Sequence, residues 1–156
     1  MDKRILDACC GSRMFWFDKH NKDAIFQDIR DEEQVLCDGR KLYVKPDVVG
    51  DFRNMAFPDE TFYLVVFDPP HLNHIGKSSW MAKKYGILSP SWQDDIRQGQ
   101  GFRECMRVLK TNGTLIFKWN EDQIPVRKII DVIGCVPLFG HTTRRNSTTV
   151  WMAFMK

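Results

Sequence analysis

The chain has 156 residues, close to the commonest domain size and long enough to bury about two thirds of its unfolded surface, so one domain over 1–156 is expected. Hydrophobic residues at 43% and charged residues at 28% exclude a disordered or fibrous chain, and no run of about 18 apolar residues is present to form a transmembrane helix. The net charge of +3 tolerates a polyanionic partner without demanding one, and the five scattered cysteines, none in C-x-x-C spacing, read as reduced thiols.

The N-terminus enters an apolar run with no signal-peptide h-region, which points to the cytoplasm. Arg4-Ile5-Leu6-Asp7-Ala8-Cys9, followed by Gly11, reads as a buried parallel strand running into a tight turn. Aromatic-rich residues 13–20 leave room for a short helix. The next strand, Ala24-Ile25-Phe26-Gln27-Asp28, closes on an acid, and so does Asp47-Val48-Val49-Gly50-Asp51 after a charged stretch. Pro58-Asp59-Glu60 is a turn. Tyr63-Leu64-Val65-Val66-Phe67 is the plainest strand, β-branched and aromatic, and it stops at Pro69-Pro70.

Ser89-Pro90-Ser91 has the chemistry of a helix start, and Ile96, Phe102, Met106 and Leu109 follow a helical stripe whose middle Gly99 and Gly101 weaken. Thr111-Asn112-Gly113 reads as a turn into the strand Thr114–Trp119. Pro125 opens a helix ending at Gly134, and residues 136–141 and 148–154 read as two antiparallel strands around the polar loop 143–147. Strands alternating with helices before a terminal strand pair imply an α/β fold. Its sheet is mostly parallel with an antiparallel C-terminal edge strand, and helices cover both faces. Ligands bind such sheets beyond the carboxyl ends of the strands, which gathers Asp7, Asp28, Asp51 and Asp68 at one rim.

Asp7-Ala8-Cys9-Cys10-Gly11 resembles the first motif of the class I S-adenosylmethionine (SAM) dependent methyltransferases, where small residues let the backbone approach the methionine part of the ligand. That resemblance implies a Rossmann-like methyltransferase sheet with SAM as cofactor, held by Asp7, Ala8, Cys9 and Gly11. It also implies that Asp28 accepts from the ribose hydroxyls, Asp51 meets the adenine amino group and Phe52 lines the base pocket. The family usually carries more glycines here than this sequence does. A dinucleotide G-x-G-x-x-G is absent. For each acid, an N-cap or turn role is the competing reading.

Asp68-Pro69-Pro70-His71 is similar to the (Asp/Asn/Ser)-Pro-Pro-aromatic motif of amino-methyltransferases, of which small phage and prophage forms have the same general look. The likeness implies methyl transfer to an amino nitrogen of a nucleic acid, with adenine N6 foremost. A conjugated amine is a poor nucleophile, so its N–H groups need acceptors that aim the lone pair, and Asp68 and the Pro69 carbonyl have that chemistry. Pro70 stiffens the loop and brings no amide donor to compete. His71 departs from the motif, with stacking, hydrogen bonding and proton acceptance all open to it.

His74, Lys77, Trp80, Lys83, Lys84 and Tyr85 interleave cations and rings, which suits a nucleic-acid strand or any substrate lid. Arg144, Arg145, Lys41 and Lys45 are candidates to extend the basic surface, and Phe15, Trp16 and Phe17 to cover the cofactor, with an aromatic core cluster as the competing reading. His71-x-x-His74 lacks a third ligand, so no metal is expected. A protein or small-molecule N-methyltransferase and a non-catalytic SAM-binding subunit stay open as alternatives. A homo-oligomer or partner subunit is an expected route to target recognition.

Overall fold

A computed structural model describes residues 3–97 and 100–156. Seven strands form one sheet: β1 (Ile5–Asp7), β2 (Ala24–Asp28), β5 (Val48–Val49), β6 (Phe62–Phe67), β7 (Leu109–Asn120), β8 (Phe139–Thr142) and β9 (Thr149–Met155). Their order is β5-β2-β1-β6-β7-β9-β8. The first five run parallel, and β9 runs antiparallel to both β7 and β8. The antiparallel end is the expected one, but the outermost strand is β8 and the last strand in sequence lies inside it.

Alternation along the strands divides the core. Leu6, Val65, Phe67, Leu115, Phe117, Trp119 and Phe154 point to the face that carries α2 (Trp92–Arg97), α3 (Gly101–Val108) and α4 (Val126–Ile133), where Trp92, Ile96, Phe102, Val108 and Ile129 meet them. The helix α2 packs on both α3 and α4. Phe117 is fully buried against Phe67, Phe102 and Trp119, so Phe117→Ala removes about 3–5 kcal/mol of transfer and packing energy. The Trp119 indole N–H reaches the Ile124 carbonyl at 2.9 Å, leaving no unmet donor in that core.

The opposite face lacks the expected helix over 13–20. Arg13 sits at φ +55°, and its guanidinium donates to the carbonyls of Lys19 (2.6 Å) and Lys45 (2.7 Å) while covering the Phe26 ring at 3.8 Å. These tertiary bonds fold the segment as a loop. Its Trp16 packs edge-on against Phe26 at 4.8 Å beside Cys10 and Ala24. The helices α2, α3 and α4 thus pack on one face, and the loop 13–20 covers Phe26 on the other.

Four further departures concern local chemistry. The charged stretch after β2 forms an antiparallel hairpin, β3 (Glu32–Val35) with β4 (Lys41–Val44), turned by Gly39 at φ +81°. Thr111-Asn112-Gly113 lies within β7 as an irregularity: Asn112 takes φ +65°, and a Cβ on Gly113 would sit 2.7 Å from the Lys110 carbonyl, but pairing with β6 resumes at Thr114. The helix expected from Ser89 is two helices. Gly101 opens α3 because a Cβ there would lie 2.5 Å from Phe67 and 2.7 Å from Phe52, while Gly99 lies outside the described residues. A short helix α1 (Trp80–Tyr85), capped by the Ser79 hydroxyl accepting from the Ala82 amide, was not foreseen.

Candidate cofactor and catalytic site

Each of the strands β1, β2 and β6 delivers an acid to the same rim, because parallel neighbours in this order end side by side. Asp7 closes β1 fully buried and accepts the Trp16 indole N–H at 2.7 Å and, weakly, the Cys9 amide at 3.4 Å. Burial raises its carboxyl from 3.8 to about 7, with the nearby Asp68 and Asp28 charges adding to the rise. Ala8 is core: its amide pairs with the Val66 carbonyl and its carbonyl takes the Gln27 amide at 3.2 Å. The chain then turns at Gly11, φ +51°, a conformation that favours glycine. The Gly11 amide donates to Asp28 at 2.8 Å, tying the first turn to the end of β2.

The second oxygen of Asp28 accepts from the Arg30 amide (3.0 Å) and guanidinium (3.1 Å), and Arg30 reaches on to the Lys83 carbonyl in α1 at 3.0 Å. Asp51 repeats the arrangement two residues before an arginine: it takes the Arg53 amide at 2.9 Å and the guanidinium at 2.6 Å, and Arg53 also meets Asp95 of α2 at 3.2 Å. The Arg53 guanidinium holds the Asp51 carboxyl below its usual range. Sequence reasoning had both acids facing ligand hydroxyls or amines. It did not anticipate the arginine partner two residues on, although D-x-R stands in the sequence at both places.

A cavity of about 210 Å³ opens at this rim, lined by Cys9, Asp28, Phe52, Asp68, Pro70 and Tyr85 among others. A smaller one of about 30 Å³ shares Cys9, Arg30, Asp68 and Tyr85 with it and adds Gly11 and Phe15. Thus Cys9, Gly11, Asp28 and Phe52 meet Asp68 and Pro70 around two cavities that share part of their lining. Ala8, Pro69, His71, Asp7 and Asp51 do not line it. Burial pushes the Cys9 thiol well up, so it is a neutral wall and not a nucleophile. Phe52 stands edge-on to Phe67 at 5.2 Å, which fixes its ring at the cavity.

Asp68 follows β6 and bonds the Lys118 ammonium of β7 at 2.5 Å, with both side chains largely buried. Burial raises its carboxyl and Lys118 opposes that rise. His71 is buried behind the loop, its ring 5.5 Å from Tyr85 and 6.3 Å from Trp119. Burial and the Lys118 charge lower it to about 4, so it is neutral near pH 7. Tyr85, not His71, lines the cavity beside Phe52, and sequence reasoning had placed it in a segment suited to a nucleic-acid strand or a lid. Lys118 ends the fifth parallel strand at the functional rim. The sequence placed 118–121 at this rim as candidates to touch substrate, but nothing in it paired Lys118 with Asp68.

No family model matches the chain, and no curated protein matches it. Among solved structures, a SAM-dependent methyltransferase of the DUF858 family from Leishmania major has a similar fold, with a TM-score of 0.54 and 16% identity. The match covers 98% of this chain and 64% of that one, so this chain spans less than two thirds of the other's length. The Rossmann-like methyltransferase sheet is therefore the fold of this chain.

Proposed function

We propose that the chain is a SAM-dependent methyltransferase that methylates an amino nitrogen of a nucleic acid, with adenine N6 as the acceptor closest to its motif. One observation carries the reading: Asp28 and Phe52, at the positions that resemble a nucleoside-binding pair, share one cavity with Asp68 and Pro70. The residues present fit SAM. Gly11 brings bare backbone to the rim, Asp28 offers a carboxylate in exchange for its Arg30 contact, and Phe52 supplies an aromatic wall. When bound, SAM supplies an electrophilic methyl group. Asp68 accepts the N–H bonds of the acceptor amine and aims its lone pair beside Pro70, and Tyr85 offers a face for a base to stack on.

An alkylammonium acceptor, as on a protein, is favoured less. Asp68 already balances Lys118, so a second cation there lacks a counter-charge, whereas a neutral conjugated amine needs only acceptors. A partner subunit or second copy for target recognition belongs to the proposal, and the exposed Leu138 and Phe139 at the outermost strand are apolar surface for it.

Two measurements test the reading. Calorimetry reads SAM binding with Asp28→Ala as control, and labelled methyl transfer is screened on DNA, RNA and cell extract. A chain that binds no SAM overturns the whole proposal. SAM binding with no label in any polymer, at excess protein, overturns the nucleic-acid part.

A further inference from the structure

The Lys118 ammonium has three neighbours of different kinds. On one side is the Asp68 carboxylate at 2.5 Å, and on the other are the rings of Phe15 at 5.4 Å and Trp151 at 5.7 Å, themselves edge-to-face at 5.4 Å. Those rings come from the first loop and from β9, so three separate parts of the chain converge on one cation. A lysine side chain loses its rotamer freedom in such a setting, a loss the contacts must offset. Two cation–π contacts and a largely buried ion pair hold it. Neither Lys118 nor Trp151 lines the larger cavity.

Resting on the methyltransferase reading, we propose that Lys118 is a positioning residue: clamped by Phe15 and Trp151, its ammonium keeps Asp68 an aimed carboxylate that accepts the N–H of the incoming amine. The need for it follows from the surroundings of Asp68. Burial disfavours the charged form of Asp68, and from β1 comes Asp7, a second buried acid that offers no counter-charge and whose own carboxyl the Asp68 charge helps to raise. From the first turn comes the neutral Cys9 thiol, and His71 on its own loop is neutral as well. Arg30 lines the smaller cavity but spends its charge on Asp28. Lys84 and Tyr85 of α1 line it too, and the Lys84 ammonium lies over the rings of Trp80 at 4.4 Å and Tyr85 at 5.4 Å. Lys118 is the one cation within ion-pair reach of Asp68 among the described residues. A protonated Asp68 presents an O–H in place of an acceptor and leaves the amine lone pair unaimed.

The test compares wild type with Lys118→Met and Lys118→Arg. The acidic limb of the kcat/KM profile is expected to move up by about one to three pH units in Lys118→Met, the size of effect a contact cation has on a carboxylate. Activity lost on the acid side in Lys118→Met then returns as the pH is raised, Lys118→Arg keeps the limb near its wild-type place, and SAM affinity changes less than about threefold. A merely structural role would lower activity equally at every pH and overturn the proposal. A second readout needs no turnover: the ¹³C signal of the Asp68 carboxyl, assigned with Asp68→Asn, is titrated in the folded protein. A midpoint at least one unit higher in Lys118→Met supports the proposal, and an unmoved midpoint overturns it. If no acceptor is methylated, the methyltransferase reading fails by itself while the carboxyl titration still decides whether Lys118 holds Asp68.

Discussion

Asp7→Asn is expected to make the protein more stable as the pH rises, relative to wild type. The fold binds the Asp7 proton more tightly than the unfolded chain does, since burial moves the group from 3.8 to about 7. The stability supplied by protonated Asp7 is thus complete below about pH 3.8 and is lost as pH climbs toward 7, with no further loss above it. About three units at ~1.4 kcal/mol each give ~4 kcal/mol in all, of which ~3 kcal/mol falls between about pH 4.5 and about pH 7.5. Asparagine keeps an oxygen for the Trp16 indole and does not titrate. Any packing cost of the substitution is the same at both pH values and cancels in the difference. Urea unfolding of both proteins at those two pH values, extrapolated linearly, reads the change. A stability difference that stays constant between them, or shifts in favour of wild type at the higher pH, would refute the burial argument for Asp7.

Four other outcomes follow from the site. Asp68→Ala is expected to abolish methyl transfer while SAM affinity, read by calorimetry, stays within a few-fold, because Asp68 faces the acceptor side; a large loss of affinity would move it to cofactor binding. Asp28→Ala is expected to weaken SAM binding at least tenfold, about 1.4 kcal/mol, since it removes the ribose acceptor and unties the Gly11 amide. Gly101→Ala should cost about 1–3 kcal/mol in denaturant unfolding, because its Cβ would have to displace Phe67 and Phe52, and SAM affinity should fall with the displaced Phe52 wall. His71 has the opposite sign to Asp7: the fold favours its neutral ring, so stability tied to it is complete above about pH 6.5 and is lost as pH falls toward 4. His71→Phe should remove that acid-side loss, seen as a flatter melting temperature between pH 6.5 and 4.

The strands of the rim were legible because their chemistry is local. Phe62–Phe67 is β-branched, aromatic and stopped by proline, and acids at successive parallel strand ends have one place to go. The loop 13–20 was misread because its shape depends on Arg13 reaching Lys45 more than thirty positions away, a tertiary bond that overrides local helix preference. The hairpin β3–β4 was readable in principle, since Asp38-Gly39 between alternating residues is a turn signal, but charged side chains at Glu32, Glu33 and Lys41 hid the alternation. Asn112 shows the reverse failure: a true left-handed residue gave a correct local geometry, and the strand continued past it. At the site, motif likeness located Asp28 and Asp68 but not their partners. Arg30 lies two residues from Asp28, whereas Lys118 is fifty from Asp68 and comes beside it only through the pairing of β6 with β7.

The strand order also fixes when this site comes into being. Ile5 pairs with Ala24 on one side and Leu64 on the other, so the strand that carries Asp7 waits for β6 to be made before it is enclosed. The opposite wall waits longer. Lys118 registers against Trp151, and β8 joins the sheet only through β9, so both depend on the last strand of the sequence. A chain cut before residue 149 would therefore lack the Trp151 contact on Lys118 and leave one edge of β7 without its partner strand. Completion of the final strand is the step that closes the sheet and the site together.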